Sequence, residues 1–196
     1  MMSQDRRRTA LVCVIALLAA SQARAQSRPI DAQHSKLTVF VYKSGLFSAF
    51  ADDHVITASI ARGTISDEAP RAIELVVRSA DLRVQDPDLA ADKRNEVQAR
   101  MLGSEVLDVG HFPEITFAST TIEPAGTDRW TVAGRLTIHG QTRAITLAVA
   151  LLNGVYRGEV LIKQRDFGIE PIKVAGGTVK VKDEVKIQFQ IAKNDD

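Results

Sequence analysis

Along most of this chain a hydrophobic residue returns at every second position, the period of a β-strand that buries one face. The clearest stretch is C-terminal, where Val179, Val181, Val185, Ile187, Phe189 and Ile191 alternate with Lys180, Lys182, Glu184, Lys186, Gln188 and Gln190. Trp130, Val132, Leu136 and Ile138 alternate with Thr131, Arg135, Thr137 and His139, and Ile145, Leu147, Val149 and Leu151 resume the pattern after Gly140-Gln141-Thr142, which reads as a turn. Ile73, Leu75 and Val77 form a shorter strand and 155–162 another, with Asn153-Gly154 supplying a strong two-residue hairpin signal before it. Residues 36–43 are apolar at nearly every position, which predicts a strand covered on both faces.

Two segments depart from the period. Residues 44–51 (SGLFSAFA) read as a short helix or loop carrying Phe47 and Phe50. Residues 87–101 are polar and rich in Ala, Lys, Arg and Glu, which predicts a helix with Pro87 near its start and Val97, Met101 and Leu102 facing inward. Close-spaced strands with hairpins and one or two short helical insertions argue for an all-β sandwich or antiparallel barrel. No linker, repeat or low-complexity tract divides the chain, so residues 26–196 are expected to form one domain.

Residues 1–25 are expected to be a cleaved signal peptide. Arg6, Arg7 and Arg8 form a basic start, Leu11–Ala20 is an apolar run, and Ala23-Arg24-Ala25 gives the small-x-small cleavage pattern. That run is too short to span a bilayer as a helix, and no later stretch is long enough, so no stable membrane span is expected. The predicted location is the periplasm. Cys13, the single cysteine, lies within the apolar run, so the mature chain has no thiol for a disulfide, a nucleophile or a metal site. Removal of the leader takes away four basic residues and one acidic residue. It leaves 21 basic and 23 acidic residues, with no basic excess to attract nucleic acid.

A catalytic constellation is hard to assemble from these residues. His34, His54, His111 and His139 include no pair at metal-ligand spacing and read as surface or loop histidines. Asp52-Asp53-His54 suggests a metal corner or catalytic pair, but consecutive strand residues point to opposite faces, and a solvated turn fits better. No G-x-S-x-G elbow is present, and Gly176-Gly177 precedes a strand rather than a helix, a poor phosphate loop. The chain is therefore expected to have no catalytic residues, no metal and no cofactor. Its conspicuous side chains are apolar: Phe40, Tyr42, Leu46, Phe47, Phe50, Phe112, Phe117 and Phe167 gather at strand ends and insertions. They suit either a filled core or the lining of a ligand cavity, and periodicity does not separate the two.

Four elements in order give the chain a resemblance to the YceI-like family of lipocalin-like polyisoprenoid-binding proteins. Residues 30–35 (IDAQHS) resemble the opening D-x-x-H-S element, residues 108–119 (DVGHFPEITFAS) the central D-V-x-x-x-P-x-I-T-F-x-S element, residues 134–142 (GRLTIHGQT) the G-x-L-T-I-x-G-x-T hairpin, and residues 165–169 (RDFGI) the R-x-F-G-I element. Tyr42-Lys43-Ser44-Gly45, the segment 49–54, Phe112 and residues 170–177 depart from the pattern where a ligand would enter. The resemblance implies an eight-stranded lipocalin-like barrel whose interior holds an isoprenoid, a prenyl quinone or a related lipid. Candidate ligand-binding residues, chosen for size and expected inward facing, are Phe40, Tyr42, Phe47, Phe50, Phe117, Trp130, Ile138, Phe167 and Phe189. The competing expectation is a solid barrel, a structural or stress-response envelope protein acting through surface protein contacts. Either reading is compatible with a homodimer.

Overall fold

A computed structural model describes residues 27–44, 53–174 and 179–194. Residues 1–25, Leu46, Phe47, Phe50 and Gly176-Gly177 lie outside the described residues. In chain order the elements are β1 (Arg28–Ser44), β2 (His54–Ala58), β3 (Arg62–Ser66), β4 (Ala72–Arg78), β5 (Arg83–Val84), α1 (Ala91–Leu102), β6 (Glu114–Gly126), β7 (Arg129–Ile138), β8 (Gln141–Leu152), β9 (Val155–Lys163), β10 (Lys173–Val174) and β11 (Val179–Lys193).

Eight strands close into an antiparallel barrel in the order β1-β3-β4-β6-β7-β8-β9-β11, and β11 pairs back onto β1 along most of its length. The period-two stretches are the strands of this wall. Each turns one set of side chains to the axis and the other to water. Closure leaves few strand edges open, which a sheet this large needs.

On the edge away from β11, the long β1 serves two neighbours. Arg28 and Pro29 pair with β3, whereas Leu37–Val41 pair with β2. The change of partner follows a bulge: Asp31 faces Ala192 and Lys36 faces Gln190, so β1 carries extra residues there. The D-x-x-H-S element builds this bulge. Asp31 Oδ1 accepts the Gln33 and His34 N–H groups at 2.9 and 3.1 Å, and Ser35 Oγ accepts the Ala192 N–H at 3.0 Å. A motif quoted for its resemblance is thus a device for bending the strand.

Both short hairpins have the geometry their residues favour. Asn153 and Gly154 have φ of 51° and 78°, and His139 and Gly140 have 49° and 70°. Two successive positive φ values are those of a type I′ turn, whose twist matches the flanking strands. The second turn is His139-Gly140 rather than Gly140-Gln141-Thr142. Gln141 already pairs with Ile138, and Thr142 Oγ1 meets Thr137 Oγ1 across the strands at 2.8 Å.

The helical insertion forms, but α1 begins at Ala91, four residues beyond Pro87. Residues 86–90 are occupied by a turn in which Leu89 N–H donates to Asp86 O, so Pro87 belongs to the approach rather than the first helical turn. Gln98 holds the helix to β5, accepting from Val84 N–H and donating to Leu82 O, both at 2.8 Å. Met101 is buried, and Val97 and Leu102 pack against the core as expected.

One expectation fails on β1. The apolar run 36–43 is not sandwiched between two layers. Leu37, Val39 and Val41 face the axis, while Phe40 lies on the outer face beneath the Lys186 ammonium, 4.9 Å from the ring centroid. A lysine from the neighbouring strand covers the outward aromatic, as a long amphipathic side chain can.

Candidate ligand cavity

The barrel is hollow. A cavity of about 260 Å³ runs along its axis, far above the ~15 Å³ that one ordered water needs. Every wall strand contributes to it: Val39 and Val41 from β1, Ile65 from β3, Leu75 and Val77 from β4, Phe117 from β6, Leu136 and Ile138 from β7, Leu147 and Val149 from β8, Val160 from β9, and Val185, Ile187 and Phe189 from β11. Leu37, Val39, Leu75, Phe117, Val149, Val160, Ile187 and Phe189 face inward yet remain only partly buried, because opposing walls do not meet. On the scale of about 24 cal/mol per Å³ of void, this space corresponds to roughly 6 kcal/mol of packing left unmade.

Two glycines shape the wall. Gly158 and Gly134 sit at inward positions, and the Phe189 and Phe117 rings lie across them, leaving 2.4 and 2.5 Å between the ring and where a Cβ would stand. Large rings are thereby laid flat along the wall rather than across the axis.

The polar side chains on the cavity wall are few and unevenly placed. Ser66, Asp67 and Arg71 come from the end of β3 and the turn before β4, and Tyr156 stands beside Trp130 with ring centroids 5.8 Å apart. At this end Lys193 Nζ donates to Asp67 Oδ2 at 3.0 Å, tying β11 to the β3–β4 turn. The Lys193 ammonium holds the Asp67 carboxyl below its ordinary range, and burial pushes the Tyr156 hydroxyl up. A carboxylate with a lowered value contributes stability above the ordinary carboxylate range and loses it as pH falls through the lowered value. Chemical denaturation should therefore show an acid-side decline below about pH 4 that Lys193→Met reduces by about 1 kcal/mol or less, both partners being partly solvated.

At the opposite end, Leu82, Met101, Val106, Leu107, Phe167 and Ile169 cap the cavity. A second cavity of about 210 Å³ adjoins it there, sharing Val41, Ile56, Met101, Val106 and Gln164, with Tyr42, Lys43, His54, Glu96, Arg100 and Lys180 around its edge. His54 Nδ1 lies 2.6 Å from Asp86 Oδ2, and Asp86 Oδ1 accepts the Val55 N–H at 2.8 Å. Asp86 is buried and His54 half-buried, so this histidine is not the solvated turn residue expected. The fold brings Asp86 from 32 positions away, a pairing that sequence spacing does not reveal. His34 and His111 are exposed and pair with Asp31 and Asp108 three residues earlier. Arg165 forms a rim network with Glu170 at 3.1 Å and Asp183 at 3.5 Å. No group of three or more potential metal-ligating His, Cys, Asp or Glu side chains occurs among the described residues.

Of the nine candidate residues, Phe117, Trp130, Ile138, Phe167 and Phe189 line the main cavity together. Phe40 does not: alternation with Val39 and Val41 turns it outward. Tyr42 is likewise outside the barrel interior, bordering the second cavity with its ring centroid 5.8 Å from Lys182 Nζ. Phe47 and Phe50 lie outside the described residues. The nine candidates omit Tyr156, Asp67 and Arg71. Tyr156 was accessible to the alternation argument, because the Asn153-Gly154 turn pairs it with Leu151, on the inward face of β8.

Fold and cavity together define a closed antiparallel β-barrel with an apolar, ligand-sized interior. The YceI-like domain model matches residues 29–192, and the chain belongs to the YceI-like family. A UPF0312 protein of Azotobacter vinelandii is 28% identical over 178 residues, covering 82% of this chain and 85% of that protein. Among solved structures, BcnA of Burkholderia cenocepacia superposes with a TM-score of 0.61 at 20% identity, covering 83% of this chain and 98% of that one. A polyisoprenoid-binding domain from Saccharophagus degradans, implicated in plant cell wall breakdown, gives 0.57 at 18% identity, covering 86% and 97%. These two likenesses establish a shared fold.

Proposed function

We propose that this protein is exported to the periplasm and there binds or carries a lipid, an isoprenoid, prenyl quinone or related chain, holding it in the barrel without transforming it. The observation that carries this reading is the axial cavity, lined almost wholly by aliphatic and aromatic side chains. Burial of hydrocarbon yields about 0.8 kcal/mol per CH₂, so a long chain binds with few polar contacts. The similarity to a polyisoprenoid-binding domain supports the isoprenoid class. The leader-like residues 1–25 support export. A solid envelope protein acting only through its surface has no use for such a void, and this counts against that alternative.

Native mass spectrometry of the protein recovered from its host, followed by lipid extraction, tests the proposal. A co-purifying hydrophobic molecule near one per chain is the expected result, and the same spectrum reads the oligomeric state. Recovery of empty protein that also takes up no prenyl quinone in vitro contradicts it.

A further inference from the structure

We infer that the Tyr156 end of the main cavity seats the head group of a ligand that offers a hydrogen-bond-accepting oxygen, a carbonyl or carboxylate, with the apolar chain running from there toward α1. The inference rests on the proposed lipid-binding role and adds the head-group class and the direction in which the ligand lies.

Tyr156 is 92% buried and lines the cavity, yet no hydrogen bond among the described residues reaches its hydroxyl. Its neighbours are committed. Ser66 Oγ donates to Glu68 O and Pro70 O, Asp67 pairs with Lys193, and Arg71 Nε donates to Asp67 O at 3.0 Å. The terminal nitrogens of Arg71 have no protein partner among the described residues. A phenolic O–H and a guanidinium are thus the donors left over where the wall turns polar. The Tyr156 hydroxyl keeps accessible surface on the cavity, and no buried side-chain polar atom among the described residues lacks a partner. Once an apolar chain displaces water there, a hydroxyl left without an acceptor costs roughly 1–3 kcal/mol, which an oxygen on the ligand avoids. Burial keeps the phenol protonated at neutral pH, so it donates. The far end offers no equivalent group inside the main cavity: the Gln164 amide donates to Lys182 O, and the caps Met101 and Leu107 are apolar.

The single tryptophan lies at the Tyr156 end, with Trp130 and Tyr156 ring centroids 5.8 Å apart, and supplies the readout. Stearic acid carrying a nitroxide at carbon 5 or at carbon 16 quenches a nearby indole at short range. With both probes bound to the full-length mature protein, the carbon-5 label is expected to quench Trp130 fluorescence several-fold more than the carbon-16 label. Tyr156→Phe is expected to weaken stearate binding roughly two- to tenfold, the loss of one hydrogen bond, and to leave squalene binding unchanged. Thermal unfolding checks that the variant is folded. Stronger quenching by the carbon-16 label, or equal stearate affinity in the folded Phe variant, overturns the head-group assignment alone. Failure of both stearate and squalene to bind overturns the lipid-binding reading along with it.

Discussion

Val39→Trp is expected to lower the affinity for a prenyl quinone about a thousandfold while leaving the barrel folded. Val39 sits on β1 between Ile187 of β11 and Ile56 of β2, and its side chain faces the cavity without being fully buried. An indole at this level projects across the axis and displaces roughly one five-carbon unit of the ligand. At about 0.8 kcal/mol per CH₂ the lost burial is about 4 kcal/mol, or three powers of ten. The indole also fills part of a void of about 260 Å³, so the melting temperature should hold or rise. Phe40→Ser, one position along, is the control: Phe40 lies outside the barrel under Lys186, and its replacement should leave lipid uptake within about twofold. Equilibrium titration with the quinone and a thermal melt decide the matter. Retained affinity in the Trp variant shows that the chain binds elsewhere.

Gly158→Val is expected to destabilise the protein by about 3 kcal/mol or more. A Cβ at Gly158 meets Ala148 O at 2.4 Å and the Phe189 ring at 2.4 Å. The ring can swing into the cavity, but the carbonyl belongs to the β8 backbone, so β8 and β9 must separate for the side chain to fit. Overpacking of this kind ordinarily costs about 1–3 kcal/mol, and a backbone contact puts this site at the upper end. For a chain of this size each kcal/mol lowers the melting temperature by about 2–4 °C, so a fall near 10 °C should be seen. Gly110→Ala provides contrast: nothing lies within 4 Å of its Cβ position, and its stability should change by less than about 0.5 kcal/mol. Equal effects at the two sites would show that the ring-over-glycine packing is not what holds the wall together.

The same glycines and phenylalanines show what the linear pattern leaves out. Alternation in β7, β8 and β11 was plain, since each carries polar residues between its apolar ones, and Trp130, Ile138 and Phe189 landed on the axis accordingly. In β1 both parities are apolar, so side-chain size was the remaining guide, and it selected Phe40 and Tyr42 over Val39 and Val41. The core needed the smaller residues, because the axis had to stay open; the aromatics went outside under lysines of β11. The resemblance motifs likewise divide into architecture. One builds a bulge, one a type I′ turn, and Arg165 ends in rim ion pairs rather than in the cavity.

The chain's own order of residues thus determined the strands, the Asn153-Gly154 hairpin, the helical insertion and the antiparallel all-β class, because a period of two and the turn residues act locally. Only the closed barrel decided that the middle is empty, that Asp86 meets His54, and that Asp67, Arg71, Lys193 and Tyr156 share one end. Those facts depend on which strands become neighbours and how far apart opposite walls stand, distances that closure sets and that no local spacing encodes.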